Sequence, residues 1–322
     1  MEPISFTPLL KQIRWGGRKL GSLLNKAIGT AADYAESWEI ADHDNGQSIV
    51  AGGTFAGTSL RELLESHRDE LLGCQANMTQ FPLLIKFLHA NDWLSLQVHP
   101  NDTQALTWNP LEKGKTEAWI IVDAEPDSQI CAGLKQGVTR DEFQRHLQNG
   151  TVEETLHLFS AVPGDCIYVP AQTVHAIGPG IVLAEIQQQS NLTFRLHDWG
   201  RMGADGKPRA IHVEESLACI DFKRGPVNPV VAHELTSGNH QFEELLRCDY
   251  FVIRRHRSVN AFPLKLDDRF RIVMVLDGCT DLRTESGTLT LTKGETLLLP
   301  ASLRQAEFVP SANVTLLEIL TP

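Results

Sequence analysis

The sequence predicts a mostly β protein made of two jelly-roll-like β-barrels, with helical segments inserted in its N-terminal half. Three observations support this prediction: many short apolar or alternating runs bounded by Gly, Pro, Asp or Asn, an internal repeat, and only two long stretches with helical periodicity. Many short strands separated by turn signals are typical of β-sandwiches and β-barrels.

The strands are predicted from runs that are too short for helices and rich in aliphatic residues. These runs are PLLIKFLHA, LSLQVHP, EAWIIVDA, DCIYVPA, GIVLAEIQQ, YFVIRRH, RIVMVLDG, GTLTLTKG and ETLLLPA. Two helical segments are predicted over residues 58–73, where leucines recur every three or four positions, and over 139–159. Thr139 and Glu142 form a capping-box pattern at the start of the second segment, and Gly150 interrupts it.

The internal repeat has a constant offset of 130 residues. PGDCIYVPAQTVHAI (163–177) and KGETLLLPASLRQAEF (293–308) both contain Gly, an acid, four further residues, Pro and Ala. IVLAEI is echoed by VTLLEI, and WIIVDA by IVMVLDG. The repeat predicts two copies of one β module. We therefore divide the chain into an N-terminal domain, 1–235, and a C-terminal domain, 236–322.

The net charge and the N-terminal sequence limit which binding partners and which cellular location can be expected. A net charge of -11 without a basic run argues against binding to nucleic acid or to an anionic membrane. The first residues have no apolar signal-type stretch, and no later run is long enough to span a bilayer. The sequence therefore predicts a soluble, cytoplasmic protein with a small-molecule partner, and it leaves the oligomeric state open.

The stretch LSLQVHPND is the first candidate for a site. Leu94, Leu96 and Val98 alternate with polar residues, so the side chains of Gln97 and His99 share one face of a strand. Pro100 ends that strand. From these residues alone, His99 is either a metal ligand or simply a surface or hydrogen-bonded histidine.

The Gly, five residues, Pro, four residues, His pattern that ends at His175 resembles the second motif of the cupin β-barrels, which commonly bind a metal through His and Glu. The first copy offers Gln97, His99, Glu117 and His175 as donors. Nitrogen and oxygen donors suit Zn²⁺, although Mn²⁺, Fe²⁺ or Co²⁺ could occupy the same set. Alignment of the copies places Arg271 opposite Glu117 and Gln305 opposite His175. The second copy should therefore hold no metal, and the chain should bind one ion.

Several motifs in order resemble the short bacterial form of the type I mannose-6-phosphate isomerases. They are WGGRKL, AESWEI, LSLQVHPND, GKTEAWII, VPAQTVHAIG and EIQQQSNLTFRLHDWGR. The resemblance implies a zinc shell of Gln97, His99, Glu117 and His175, in which water could replace Gln97. It also implies that Lys115, Glu185 and Arg195 are catalytic residues, and that Lys115 and Arg201 bind the substrate. Gly114 stands where longer relatives have a histidine.

The function that this resemblance implies is the interconversion of mannose 6-phosphate and fructose 6-phosphate through a metal-stabilised enediol. An Fe²⁺ cupin oxygenase and a non-catalytic sugar-binding cupin are the alternatives. The charged residues also have simpler interpretations. Lys115 could be a solvated loop residue, Glu185 a barrel-wall acid paired with an arginine, and Arg195 and Arg201 surface charges.

Overall fold

The computed structural model describes residues 1–202, 206–238 and 240–322. The prediction of a mostly β fold is confirmed. The strands of the first half are β1 Ile4–Thr7, β2 Leu9–Gly17, β3 Tyr34–Ile40, β4 Asp42–His43, β5 Gly46–Gln47, β6 Ile49–Val50, β7 Leu83–Ala90, β8 Leu96–Val98, β9 Glu117–Ala124, β10 Gln129–Leu134, β11 Leu156–Ser160, β12 Cys166–Val169, β13 His175–Ile177, β14 Ile181–Gln188 and β15 Phe194–His197.

The strands of the second half and the helices complete the described structure. The strands are β16 His233–Ser237, β17 His240–Arg247, β18 Val252–Ser258, β19 Phe262–Pro263, β20 Arg271–Asp277, β21 Cys279–Thr284, β22 Gly287–Thr292, β23 Thr296–Leu299, β24 Ala306–Pro310 and β25 Val314–Leu320. The helices are α1 Lys19–Ser22, α2 Leu60–Ser66, α3 Arg68–Leu72, α4 Asp102–Trp108, α5 Arg140–Asn149 and α6 Val213–Cys219. Short 3₁₀ turns lie at Gly73–Gln75 and Val152–Thr155.

The first barrel consists of a six-stranded sheet facing a five-stranded one. The strand orders are β12-β9-β14-β7-β3-β2 and β11-β10-β13-β8-β15. Between them lies a buried core that includes Trp119 and Leu183 from the larger sheet and Ile130 and Ile177 from the smaller. α5 and α6 contribute to a further core that covers the outer face of the smaller sheet.

The second barrel repeats this arrangement. An eight-stranded sheet, β16-β17-β18-β25-β20-β23-β1-β6, faces a four-stranded sheet, β19-β24-β21-β22. The order β12-β9-β14-β7 in the first barrel corresponds to β23-β20-β25-β18 in the second. Glu117 pairs with Val169 in the first copy, and Arg271 pairs with Leu299 in the second. The 130-residue repeat therefore reflects two copies of one topology.

The two barrels are joined by a shared hydrophobic core. It contains the outward-facing residues of the six-stranded sheet, such as Ile120 and Ile186, together with Ile272, Met274 and Ile319 of the second barrel. A strand that is buried on both faces reads as a continuous apolar run rather than an alternating one. This explains why IVLAEI and VTLLEI lack a polar face.

Both helix predictions need correction at their boundaries. The segment predicted over 58–73 is divided into α2 and α3 at His67. The helix predicted over 139–159 ends at Asn149, because Gly150 adopts a left-handed conformation with φ 71°. The later part of that range forms a 3₁₀ turn and β11 instead.

The predicted domain division at residue 235 stays a prediction, but two strands do not follow it. β1 pairs with β23, and β16, which contains residue 235, pairs with β17. Both belong to the sheet of the second barrel. Among the described residues, no helix is long and apolar enough to cross a membrane.

Candidate active site

A buried cluster of two histidines and a glutamate lies at one end of the first barrel. His99, Glu117 and His175 each offer a ligand atom, and these atoms all lie within 4.8 Å of one another. Each residue is only 1% exposed. His175 Nε2 is 3.4 Å from Glu117 Oε1, and His99 Nε2 is 3.7 Å from Glu117 Oε2.

The strand ends bring these residues together from both sheets. β13 begins at His175, which pairs directly with Gln97 on β8, so the two side chains share one face of the smaller sheet. His99 follows β8 where Pro100 stops the strand. Glu117 is the first residue of β9 in the opposite sheet.

Backbone carbonyls orient both imidazoles. The Nδ1 of His99 lies 3.0 Å from the carbonyl oxygen of Leu192, and the Nδ1 of His175 lies 2.9 Å from that of Thr173. A carbonyl can only accept, so each Nδ1 carries the proton and each Nε2 presents a lone pair to the cluster. Carbonyl partners of this kind are typical of metal-ligating histidines.

The surroundings of the Glu117 carboxylate indicate that the cluster is suited to binding a cation. Its side chain is buried, yet neither carboxylate oxygen receives a hydrogen bond from the described residues. Lys115 Nζ is the nearest charge, 3.1 Å from Glu117 Oε2 and 3.2 Å from His99 Nε2. This single ion pair leaves Glu117 Oε1 without a hydrogen bond in a buried site, and a bound divalent ion would satisfy it. The cluster can therefore hold a metal ion.

The other predicted metal ligand, Gln97, reaches the same cluster. Its Nε2 is 3.2 Å from His175 Nε2, and its Oε1 accepts a hydrogen bond of 3.2 Å from Ser95 Oγ. The side-chain amide thus borders the cluster, and its role as a ligand stays a prediction.

Burial sets the protonation of the cluster. It raises the pKa of Glu117, against the opposing charge of Lys115. Burial also lowers the pKa of His175 to about 4, and burial followed by the Lys115 charge holds the pKa of His99 well below its usual value. Both imidazoles are therefore neutral near pH 7, as metal ligation requires.

Glu185 lies beside the cluster and is paired with a lysine rather than an arginine. Its Oε2 is 2.9 Å from Lys86 Nζ, and its Oε1 accepts a hydrogen bond of 3.2 Å from Trp119 Nε1. Burial would raise the pKa of Glu185, but the charges of Lys86 and Lys115 outweigh it and hold this pKa well below the usual range. The sequence analysis missed Lys86, although a single lysine in the apolar run PLLIKFLHA was a usable signal.

A second residue that the sequence analysis missed is Gln187, which is two positions beyond Glu185 on β14. It pairs with Glu117 on β9, so the two side chains share one face of the sheet. Its Nε2 donates to backbone carbonyls, whereas its buried Oε1 has no partner among the described residues. An amide oxygen in this state can accept a hydrogen bond from a ligand.

The two predicted arginines lie in different surroundings. Arg195 on β15 pairs with Gln97 and therefore shares its face of the sheet. Its Nη1 donates to the carbonyl of Ala210, while its buried Nε has no partner among the described residues. Burial, followed by the charge of Arg209, lowers the pKa of Arg195.

Arg201 bonds to residues outside the cluster of His99, Glu117 and His175. Its guanidinium donates to Asp198, to the carbonyl of Trp93 and to Asp92. Arg209, which the sequence analysis did not single out, also binds the Asp198 carboxylate. Most donors of Arg201 are therefore already engaged by the protein, and substrate binding by Arg201 stays a prediction.

Gly114 has a packing role at this site. A Cβ on this residue would lie 2.4 Å from the backbone nitrogen of Asp102 and 2.5 Å from the backbone carbon of Asn101. Its own N–H donates to Asp102 Oδ1 over 2.9 Å. Close contact between these two segments explains why a glycine, and no histidine, occupies this position.

The corresponding end of the second barrel carries a different set of charges. Arg271 occupies the position of Glu117, and its Nε donates to Glu318 Oε1 over 2.7 Å. Gln305 lies just before β24, as expected of a counterpart of His175. In the described part of the chain, the only group of three potential metal-ligating residues is the one in the first barrel.

Comparisons with known proteins agree with this architecture. Residues 4–110 match the family model "Phosphomannose isomerase type I, catalytic domain", and residues 241–314 match "Mannose-6-phosphate isomerase, cupin domain". The chain is 37% identical over 311 residues to mannose-6-phosphate isomerase ManA of Bacillus subtilis, with 94% of each protein covered. It is 32% identical over 307 residues to a Streptococcus mutans mannose-6-phosphate isomerase, with 95% of each covered.

The crystal structure of a Bacillus subtilis mannose 6-phosphate isomerase has 29% sequence identity to the chain and a TM-score of 0.92, with 99% of both chains covered. The apo phosphomannose isomerase of Salmonella typhimurium, at 17% identity and a TM-score of 0.78, covers 100% of this chain and shares the fold. With two domain models matched and 37% identity along nearly its whole length, the chain belongs to the type I mannose-6-phosphate isomerase family.

Proposed function

We propose that this protein interconverts mannose 6-phosphate and fructose 6-phosphate in the cytoplasm, using one Zn²⁺ per chain. The observation that carries the proposal is the buried His99, Glu117 and His175 cluster, whose lone pairs converge beside Lys115 in a member of this isomerase family. The buried Glu117 carboxylate, which has an ion pair with Lys115 but no aligned hydrogen bond from the described residues, supports a cation at this place.

The reaction moves one proton between C1 and C2 of the sugar through an enediol. His99, Glu117 and His175, with Gln97 or a water as the fourth donor, would hold the ion. When bound, zinc would polarise the sugar oxygens and stabilise the negative charge that develops on them. The ammonium of Lys115 and the guanidinium of Arg195 would add further positive charge at the same oxygens.

Glu185 is the proposed proton carrier. A base must be ionised before it accepts a proton, and the pairing with Lys86 keeps Glu185 ionised at neutral pH. The same pairing makes Glu185 a weak base. Proton transfer would therefore depend on the enediolate being stabilised by the surrounding positive charge.

Substrate recognition is assigned to Lys115 and Arg201, with a contribution from Arg195. Arg195 has an unpartnered Nε, which favours it for an anionic oxygen. Arg201 would have to give up part of its pairing with Asp198 to contact a phosphate. The Gln187 Oε1 is available to accept a hydrogen bond from a sugar hydroxyl.

A coupled assay tests the proposal directly. Protein purified without added metal should convert mannose 6-phosphate to fructose 6-phosphate, lose activity on chelation and regain it with Zn²⁺. Metal analysis should find about one ion per chain. Iron with oxygen consumption would favour the oxygenase alternative, and sugar phosphate binding without turnover would favour a binding protein.

A further inference from the structure

We infer that Tyr250, in the C-terminal half, is a positioning residue for the metal cluster and acts through Asp102. Its hydroxyl donates to Asp102 Oδ2 over 2.7 Å, which is a short bond to a carboxylate. The two residues are 148 positions apart in the sequence. The inference deepens the proposed function, because it concerns how the second barrel helps to position the metal-binding residues of the first. The second barrel has no such group of metal-binding residues in its own described part.

Asp102 ties together the two segments that supply the metal ligands. It begins α4, three residues after His99. Its Oδ1 accepts from the N–H of Gly114 over 2.9 Å, and Gly114 lies three residues before Glu117. The Lys115 N–H donates to the carbonyl of Pro100 over 2.9 Å, which joins the same two segments a second time.

The hydrogen-bond network continues to the residue next to Glu117. Asp102 Oδ1 also accepts from Gln188 Nε2 over 3.1 Å. The Oε1 of that glutamine accepts from the N–H of Thr116 over 2.9 Å. A connected path thus runs from the Tyr250 hydroxyl to the N–H of Thr116, the residue before Glu117.

Packing alone does not hold Asp102 in place. Asp102, Gln188 and Tyr250 all line a cavity of about 500 Å³ between the two halves, together with Met78, Leu106 and Pro322. A side chain that borders open space can rotate when its hydrogen bond is lost. Removal of the Tyr250 hydroxyl would leave Asp102 held only through Oδ1, by Gly114 and Gln188, and should therefore loosen the segment from Gly114 to Glu117.

The test compares Tyr250→Phe with Tyr168→Phe. Both tyrosines pack against the core shared by the two barrels, but the hydroxyl of Tyr168 faces Cys248 and not Asp102. In metal-free protein, Tyr250→Phe should speed hydrogen exchange at the Gly114 and Thr116 amides by about threefold or more, since both donate within this network. Tyr168→Phe should leave these two amides unchanged.

Metal affinity is the second measurement, by competition with a chromophoric chelator. Loss of an outer hydrogen-bond partner typically weakens metal binding by about 10- to 100-fold. Tyr250 acts one hydrogen bond further away, so we expect the Zn²⁺ dissociation constant to rise by about threefold to tenfold in Tyr250→Phe. Tyr168→Phe should bind Zn²⁺ like the wild type.

A double variant and a fallback keep the inference falsifiable. If Tyr250 acts only through Asp102, Tyr250→Phe/Asp102→Asn should resemble Asp102→Asn alone. Additive effects, or equal effects of the two tyrosine substitutions, would overturn the inference. If Tyr250→Phe does not fold, Asp102→Asn takes its place in the test. Unchanged hydrogen exchange at the Thr116 amide in Asp102→Asn would also overturn the inference. None of these measurements uses the sugar reaction, so failure of the isomerase assay would refute the proposed function separately.

Discussion

Replacement of Lys86 by Met tests the electrostatic account of Glu185. The two charged atoms are 2.9 Å apart and both side chains are 5% exposed. At an effective dielectric constant of about 20, their attraction is about 6 kcal/mol, part of which is offset by desolvation. Removing one partner of such a pair leaves a buried charge unpaired. We expect Lys86→Met to lower the free energy of unfolding by about 3–5 kcal/mol at pH 8.

The loss should depend on pH, with a sign fixed by the pKa of Glu185. In the wild type this pKa lies below its ordinary value of 4.5, so the stabilisation is present above that value and is lost as pH falls below it. In Lys86→Met, burial becomes the dominant effect and raises the pKa, despite the weaker attraction of Lys115. The stability of the variant should then fall as pH rises above 4.5, and its deficit should be larger at pH 8 than at pH 5.

Urea unfolding of the metal-free proteins, followed by tryptophan fluorescence, measures these differences. The control is Lys86→Met/Glu185→Gln, which has no charge at either position and should recover part of the stability with little pH dependence. If Lys86→Met lowers the free energy of unfolding by less than about 1 kcal/mol at pH 8, Lys86 and Glu185 behave as an exposed ion pair rather than a buried one. An equal loss at pH 5 and pH 8 would contradict the assigned pKa of Glu185.

Four further substitutions test the site. His175→Ala should remove most bound metal and activity, because it deletes one of the few donors, and stoichiometric zinc in that variant by metal analysis would refute the ligand assignment. Gly114→Ala should cost about 1–3 kcal/mol in unfolding free energy, since its Cβ would meet backbone atoms at 2.4 Å and 2.5 Å; unchanged stability would show that the contact relaxes freely. In full kinetic curves at checked zinc occupancy, Arg195→Ala should lower kcat by roughly 100-fold. Arg201→Ala should mainly raise KM, and an unchanged KM would limit Arg201 to its pairing with Asp198.

The sequence predicted those features of the structure that depend on residues close together in the chain or on a repeated pattern. The 130-residue repeat appears because β12 and β23 occupy the same place in two sheets of the same order. The grouping of His99, Glu117 and His175 was expected from the motif that ends at His175 and from the family resemblance, whereas the turn residues marked only the strand ends at which the two histidines lie. Gly150 likewise marked the end of α5, although the helical periodicity was wrongly extended beyond it to residue 159.

Contacts between distant segments could not be predicted in this way. The partner of Glu185 depends on β14 pairing with β7, which no local pattern reports. The contact between Asp102 and Tyr250 depends on how the two barrels pack. Substrate binding by Arg201 stays a prediction, because the sequence shows its charge but not that its guanidinium donates to Asp92 and to the carbonyl of Trp93.

The two barrels differ in how their central charges are satisfied, and this difference indicates which of them binds an ion. Glu318 and Arg254 pair across β25 and β18 as Glu185 and Lys86 pair across β14 and β7, so the acid and its basic neighbour are retained in both copies. At the position of Glu117, however, Arg271 gives every nitrogen of its guanidinium a partner, through Glu318, Asp267 and backbone carbonyls. The Glu117 carboxylate has the Lys115 ion pair but no aligned hydrogen bond from the described residues. A permanent cation in the second barrel thus takes the place that a metal ion would fill in the first. The outward faces of both sheets keep their apolar residues because both contribute to the one shared core.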